Sequence, residues 1–300
     1  MNILVTGGTV FVSRFTAEYF AKRGDQVYVL NRGSRTQPEG VIPILADRHA
    51  LGNTLQGIHF DAVLDITAYT AEDVRDLLDA LESFDDYILI SSSAVYPETN
   101  AQPFTEEQPC GANIHWGAYG TNKLAAEAEL LHRVSHAYIL RPPYLYGTGE
   151  NVYRSPFVFE CAESGRPFPI PGNGQMGLQF FHVEDLCRFM EVLLARHPDQ
   201  HIINVGNPEF VSIRDWAQLC YEAVGVPFSV VSVDKEHPRW AYFPFRDYEY
   251  QLDISTQTKL LPTLKPLSKG LREEYKWFRV HRDEVRRKDY ITFIDAHLMK

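Results

Sequence analysis

The stretch Asn2–Leu30, NILVTGGTVFVSRFTAEYFAKRGDQVYVL, decides the fold. Asn2–Thr6 is a short apolar run with branched side chains, the composition of a buried strand. Gly7-Gly8-Thr9 interrupts it, Phe11–Arg23 follows with helix formers, and Gly24-Asp25 stops the helix. Gln26–Leu30 (QVYVL) reads as a second strand. Strand, glycine turn, helix and strand within about thirty residues make the βαβ unit of a dinucleotide-binding fold.

The alternation continues outward from this unit. Apolar runs predict strands near Ile42–Leu45, Asp61–Ile66, Tyr87–Ser91, His136–Leu140 and His201–Val205. Helical periodicity predicts helices near Ala71–Ser83, Ala118–Val134, Glu184–Ala195 and Ser212–Val224. Strands separated by helices imply an α/β fold, a Rossmann-type doubly wound parallel sheet. From about Tyr144 the rhythm loosens and Pro, Gly and aromatic residues increase. Residues 1–170, with returns near 180–210, are expected to form the dinucleotide-binding domain. Residues near 144–180 and 207–300 are expected to form a smaller C-terminal substrate lobe.

Composition narrows the function class. A formal net charge of −10 opposes nucleic acid and anionic membrane. Cys110, Cys161, Cys187 and Cys220 are far apart with no Cys-x-x-Cys pair, which suits neither a disulfide scaffold nor a zinc site. No apolar run approaches the ~18 residues of a membrane-spanning helix, and no basic leader precedes the first strand. The expectation is a cytoplasmic protein without a metal centre.

Tyr119-Gly-Thr-Asn-Lys123 opens the helix after a serine-rich strand end. At i and i+4 the phenol and the ammonium project from one helix face. A free phenol titrates near ~10 and a nearby ammonium favours the phenolate. The pair is therefore a candidate device for moving a proton on or off a hydroxyl.

The motifs in order resemble those of the extended short-chain dehydrogenase/reductase family, the NAD-dependent epimerase/dehydratase group. They are Thr6-Gly7-Gly8-Thr9, Ser91-Ser92-Ser93-Ala94-Val95-Tyr96, Tyr119-x-x-x-Lys123, Leu140–Gly147, Phe181–Leu186 and Ile203–Gly206. The resemblance implies a catalytic Ser92, Tyr119 and Lys123. Ser92 would orient the substrate oxygen, Tyr119 would exchange the proton, and Lys123 would hold the cofactor ribose and lower the phenol pKa. It implies NAD or NADP held by Gly7, Thr9, Val10 and Phe11 of the loop, by Asn31, Arg32, Ser34 and Arg35 after the second strand, by Asp47 and by Lys123. The group's loop is Gly-x-x-Gly-x-x-Gly; here the positions are Gly7, Val10 and Ser13, and Val10 puts a branched side chain where pyrophosphate approaches. Asn31 is not the acid that bonds a ribose 2′-hydroxyl, and Arg32, Ser34 and Arg35 suit a 2′-phosphate, which favours NADP over NAD.

The implied reaction is that of an epimerase, dehydratase or reductase on a nucleoside-diphosphate sugar, in a homodimer built through the helices near Ala71–Ser83 and Ala118–Val134. Ser93, Tyr144, Gln179 and Arg246 are the candidate substrate residues; Leu178 stands where such enzymes often carry an arginine for the diphosphate. His182 is expected to pack between strand and helix, and the Trp240–Tyr250 aromatics to be core. A subgroup is closer still, with Arg-Pro-x-Tyr-x-Tyr-Gly, Phe-Pro-Phe-Arg-Asp and a non-glycine at the second loop position. It includes the chloroplast stem-loop RNA-binding proteins and their bacterial relatives, which lack the tyrosine this chain keeps as Tyr119. This similarity keeps open an RNA-binding or nucleotide-sensing protein on a former enzyme scaffold, with Lys276, Arg279, Arg282, Arg286, Arg287 and Lys288 as candidate phosphate contacts.

Overall fold

A computed structural model describes residues 1–234 and 236–298. The chain runs β1 (Asn2–Thr6), α1 (Phe11–Arg23), β2 (Gln26–Asn31), β3 (Val41–Leu45), β4 (His59–Asp65), α2 (Ala71–Ala80), β5 (Ser83–Ile90), α3 (Ala118–Arg133) and β6 (Tyr138–Arg141). It continues through β7 (Tyr144–Tyr146), α4 (Ser155–Glu163), β8 (Phe168–Pro171), β9 (Gly177–His182), α5 (Val183–Arg196), β10 (Ile202–Asn204), β11 (Phe210–Ser212) and α6 (Ile213–Val224). The last elements are β12 (Val230–Val233), α7 (Ser255–Leu260), α8 (Leu267–Phe278) and α9 (Tyr290–His297).

Seven parallel strands form one sheet in the order β10-β6-β5-β4-β1-β2-β3. Ile3, Leu4 and Val5 of β1 are wholly buried, as a central strand covered by helices on both faces requires. Strand order reverses between β1 and β4, and ligand crevices open at such a switch point, beyond the strands' carboxyl ends. Pro43 sits in β3, the edge strand, where a missing N–H is tolerated.

Local signals set the helix ends. Gly24, in the left-handed region at φ 99°, closes α1 with N–H bonds to Ala21 and Phe20 carbonyls. Thr70 and Asp73 form a capping box that starts α2. The helix expected to reach Ser83 stops at Ala80 instead, because Ser83 already pairs with His59 in the sheet. Sheet pairing overrides local helix preference at that point.

A second core gathers residues from β7, α4, β8, β9, α6, α8 and α9. It carries two small sheets, β11-β9-β7 and β12-β8. Strands β7, β9 and β11, three to six residues long and half-buried or buried throughout, show no alternation of apolar and polar residues for a sequence pattern to register. The Trp240–Tyr250 aromatics divide: Tyr242, Phe243, Phe245, Tyr248 and Tyr250 are buried, whereas Trp240 is 78% exposed, contrary to expectation. All four cysteines are free thiols, and among the described residues no helix is long and apolar enough to cross a membrane.

Candidate active site

A cleft of about 750 Å³ opens at the switch point between the sheet and the lobe. Ser92, Tyr119 and Lys123 all line it. Ser92 caps the short turn after β5, its hydroxyl accepting from Ala94 N–H at 3.2 Å. Gly120 brings α3 onto that turn: a methyl there would overlap the Ala94 carbonyl oxygen. That close approach sets Tyr119 beside Ser92. Gly120→Ala should therefore push α3 off the turn, cost about 1–3 kcal/mol of stability and lower turnover on the order of 100-fold through misplacement of the phenol. Denaturant unfolding and steady-state rates check both effects.

The electrostatics of the triad differ from the simple tyrosine–lysine picture. Burial raises the Tyr119 phenol, opposed by a hydrogen bond from Ser92 and by the charge of Arg154. Lys123 is 3% exposed, and its Nζ donates to the Ala68 and Ile90 carbonyls at 2.6 and 2.8 Å. Burial pulls its pKa down to about 8 against the fields of Asp65, Asp73 and Glu127. Lys123 is not among the groups that shift the phenol, contrary to expectation; the nearby cation acting on it is Arg154. The ammonium also lies 4.7 Å over the Tyr69 ring.

Two buried ion pairs frame this arrangement. Asp65 accepts from Thr6 Oγ1 at 2.7 Å, Arg48 Nη2 at 2.6 Å and Tyr87 Oη at 2.6 Å. Although burial alone would raise its pKa, Arg48 and these donors hold it below the usual carboxylate range. Thr6 Oγ1 in turn receives Ile66 and Thr67 N–H groups at 3.0 and 3.1 Å, fixing the loop that presents Ala68 to Lys123. Under α3, Glu127 takes both Arg141 Nε at 3.0 Å and Nη2 at 2.6 Å, plus the Ser91 hydroxyl. Sequence reasoning missed both networks, since each joins residues from separate elements and no short motif marks them.

A second cavity of about 370 Å³ continues along the carboxyl ends of β1, β2 and β3, lined by Gly7, Thr9, Arg32, Ser34, Arg35 and Asp47. Val10 and Arg32 line both cavities, so the groove is continuous and Val10 stands at its waist. The loop fits a dinucleotide. Gly7 and Gly8 have φ of 86° and 72°, and a methyl on Gly8 would stand 2.5 Å from Val29 Cγ1. The first turn of α1 has no acid and its cap, Val10, makes no side-chain bond, leaving its N–H groups open to phosphate. Phe11 begins α1 at φ 39° and lines the larger cleft. Arg32, where the two cavities adjoin, and Ser34 and Arg35, in the smaller one, are exposed. Asp47 is there too, although one of its oxygens already accepts from His49 N–H at 3.0 Å.

Two expected contacts are corrected. The Asn31 amide donates to Gly7 O at 2.8 Å and Gln37 Oε1 at 2.9 Å, and accepts from Gly33 N and Gln37 Nε2. All its hydrogen-bonding capacity is spent holding the glycine loop, so it has none for a ribose. Gln179 is 2% exposed and bonds Asn207 O, Leu252 O and Leu252 N, which pins the lobe rather than facing the cleft. Ser93 and Tyr144 do line the cleft, Ser93 bonding Tyr250 Oη at 3.2 Å. Arg246 is exposed beside it, 5.0 Å over the ring of Trp116, itself a wall of the cleft. His182 is wholly buried between β9 and α5, where it accepts from Glu184 N–H.

Arg154, which the sequence did not single out, and Arg286, expected only as a phosphate contact of the C-terminal basic cluster, both line the cleft. Arg286 is carried in by a strap: its N–H bonds Asn151 O at 2.9 Å, while Arg282 and Arg287 pair with Glu163 and Glu160 of α4. Of the C-terminal basic cluster, Arg282 and Arg287 are thus paired with acids and Arg286 lines the cleft. Arg32, Lys123, Arg154 and Arg286 line the cleft, and no Asp or Glu does so among the described residues. In a chain of net charge −10 such a lining selects an anion. Tyr69, Trp116, Tyr119, Tyr144 and Tyr250 supply apolar faces around it.

A model of the NAD dependent epimerase/dehydratase family matches residues 3–206. Among characterised relatives, the chloroplast stem-loop binding protein of 41 kDa b from Arabidopsis thaliana is 28% identical, covering 91% of this chain and 78% of its own. The dTDP-4-dehydro-6-deoxy-D-allose reductase of Streptomyces bikiniensis is 25% identical over 93% of this chain and 97% of its own. Among solved structures, the epimerase Mth375 from Methanothermobacter thermautotrophicus superposes with a TM-score of 0.77 at 21% identity, covering 94% and 93% of the two chains. UDP-glucuronic acid 4-epimerase from Bacillus cereus, solved with UDP-glucuronic acid and NAD, gives 0.71 at 22% identity over 93% and 99%. At these identities the structural likenesses establish the fold.

Proposed function

This chain belongs to the NAD dependent epimerase/dehydratase family, and from that premise we propose that it is an NAD(P)-dependent enzyme acting on the sugar of a nucleoside-diphosphate sugar. The observation that carries the reading is the convergence of Ser92, Tyr119 and Lys123 in a cleft whose charged lining is wholly basic. Ser92 bonds and orients a sugar hydroxyl, and Tyr119 takes or returns its proton. Lys123 holds ribose hydroxyls once its carbonyl partners share it. A bound nicotinamide supplies the hydride acceptor or donor. Gly7, Gly8 and the α1 N-terminus would hold the pyrophosphate, with Val10 narrowing the passage. Arg286 and Arg246 are the groups we assign to the substrate diphosphate, in place of the arginine that Leu178 lacks.

Arg32 and Arg35 favour NADP, because guanidinium groups suit a 2′-phosphate and Asn31 has no free acceptor for a 2′-hydroxyl. Arg32→Ala should weaken NADPH about 10–100-fold, the worth of one charge-assisted contact, and change NADH little. Fluorescence titration of both cofactors reads the difference, and equal weakening of both would contradict the assignment. The reaction itself is tested by incubating the protein and NAD(P) with UDP-glucose, UDP-glucuronic acid and dTDP-glucose and following the sugars by NMR; conversion that requires Tyr119 supports the reading. Assembly is proposed as a homodimer through α2 and α3, which light scattering checks.

The likeness to the stem-loop binding protein supports a second reading, RNA contact on an enzyme scaffold. Salt-dependent RNA affinity in a protein that binds neither cofactor would favour it. A protein that binds cofactor yet converts no substrate would instead favour nucleotide sensing.

A further inference from the structure

Behind the lobe side of the cleft, two carboxyl groups are buried against each other. Glu150 is 1% exposed, in the loop after β7, and Glu274 of α8 is wholly buried. Gly270, one turn before Glu274 on the same helix face, lets α8 come this close: a methyl there would overlap the Tyr146 hydroxyl and stand 2.8 Å from His182 Cδ2. Gly147 N–H donates to Glu274 Oε2 at 3.2 Å. Glu274 Oε1 and Glu150 Oε1 have no well-directed hydrogen-bond donor.

Arg154, the residue capping α4, is the pair's counter-ion, with Nε 2.7 Å from Glu150 Oε1. Its Nη2 donates to Leu145 O at 3.2 Å, and its guanidinium lies 5.5 Å from the Tyr144 ring and 6.0 Å from that of Phe245. It thereby reaches the cleft wall, where its charge acts on Tyr119. Tyr146, Cys220 and His182 beside the pair are neutral near pH 7, while Asp185 and Glu209 also act on Tyr146, and Lys265 and Lys269 on His182. Burial and the charge of Glu274 raise Tyr146, burial and both carboxyls raise Cys220 of α6, and burial lowers His182 to about 3.

We propose that the buried carboxyls of Glu150 and Glu274 are a positioning device for Arg154, holding this guanidinium at the cleft wall for an anionic substrate. This rests on the reading of the cleft as a nucleotide-sugar site. Burial and then the charge of Glu150 push Glu274 well above the usual carboxylate range, and burial raises Glu150 also, so one charge faces one charge. Loss of the proton held by the pair sets two negative charges against the single charge of Arg154, so the cluster turns from neutral to net negative beside the cleft and opposes an anion there. Since the folded-state pKa is raised, the pair favours the fold at low pH, and that contribution disappears as pH rises through the raised value.

Glu274→Gln holds the pair at one negative charge and keeps an acceptor for Gly147 N–H. The test is calorimetric titration with UDP-glucuronic acid, at saturating cofactor, across neutral to alkaline pH. In the wild type, affinity should fall about tenfold per pH unit beyond the pair's second titration. In Glu274→Gln it should stay within about twofold of the neutral wild-type value. Arg154→Lys, which keeps charge but not the fork, should bind about tenfold more weakly at neutral pH. A purely structural pair would alter stability while leaving the two alkaline limbs parallel, and parallel limbs overturn the proposal alone. A wild type that binds cofactor but no nucleotide sugar at any pH overturns the substrate reading, and this proposal with it.

Discussion

Tyr119→Phe should lower turnover by about 10²–10⁴-fold, the range for losing a positioned general acid–base, while cofactor affinity stays near wild type. Tyr119 lines the cleft next to Ser92, and the substitution removes only its phenolic oxygen. Lys123 is fixed independently by Ala68 and Ile90 carbonyls, and the glycine loop by Asn31, so neither depends on the phenol. The expected signature is a loss in kcat with an unchanged cofactor titration. Retention of full turnover would transfer the proton step to another group. Concurrent loss of cofactor binding would mean that the variant had disturbed the groove rather than the chemistry.

Arg141→Met should cost about 3–5 kcal/mol, the usual price of leaving one partner of a buried pair uncompensated. Arg141 and Glu127 have side chains only 4% and 3% exposed. Without the guanidinium, Glu127 keeps only the Ser91 hydroxyl, and Tyr96 Oη loses the Arg141 Nη1 donor at 2.9 Å. Against a typical total of ~5–15 kcal/mol this is a large fraction. Glu127 is one turn beyond Lys123 on α3, so the pair also registers the catalytic helix on β5 and β6. The expected readout is a lower denaturant midpoint with an unchanged slope. The double variant Glu127→Leu/Arg141→Met should recover part of the loss, because an apolar pair of similar volume avoids the desolvation penalty. Equal stability of wild type and single variant would show that the pair is not a structural tie.

The Rossmann half was largely legible because its signals are local. Gly7-Gly8 and Gly24 need positive φ, and the apolar run of β1 has helices on both faces. Alternation and right-handed crossovers restrict the strand order, and the structure supplies it. The Ser92, Tyr119 and Lys123 positions were legible through motif order, and the structure brings them to one cleft. What sequence could not show depends on tertiary contact. Nothing in the sequence spends the Asn31 amide on Gly7 or buries Gln179 against Leu252. Arg154 reaches the cleft from the start of α4, held by Glu150, and Arg286 from the C-terminal strap, which Arg282–Glu163 and Arg287–Glu160 tie to α4. The lobe's short strands β7, β8, β9, β11 and β12 carry no alternation because most of their residues are at least half buried on both faces.

The most direct measurement is a titration of the purified protein with NADPH and with NADH, followed by nicotinamide fluorescence and calorimetry. The expected result is saturable binding with NADPH the tighter ligand, and a specific loss of that preference in Arg32→Ala. Absence of binding by either cofactor would mean that Val10 closes the groove to pyrophosphate, and would contradict the assignment of this cleft to nicotinamide chemistry.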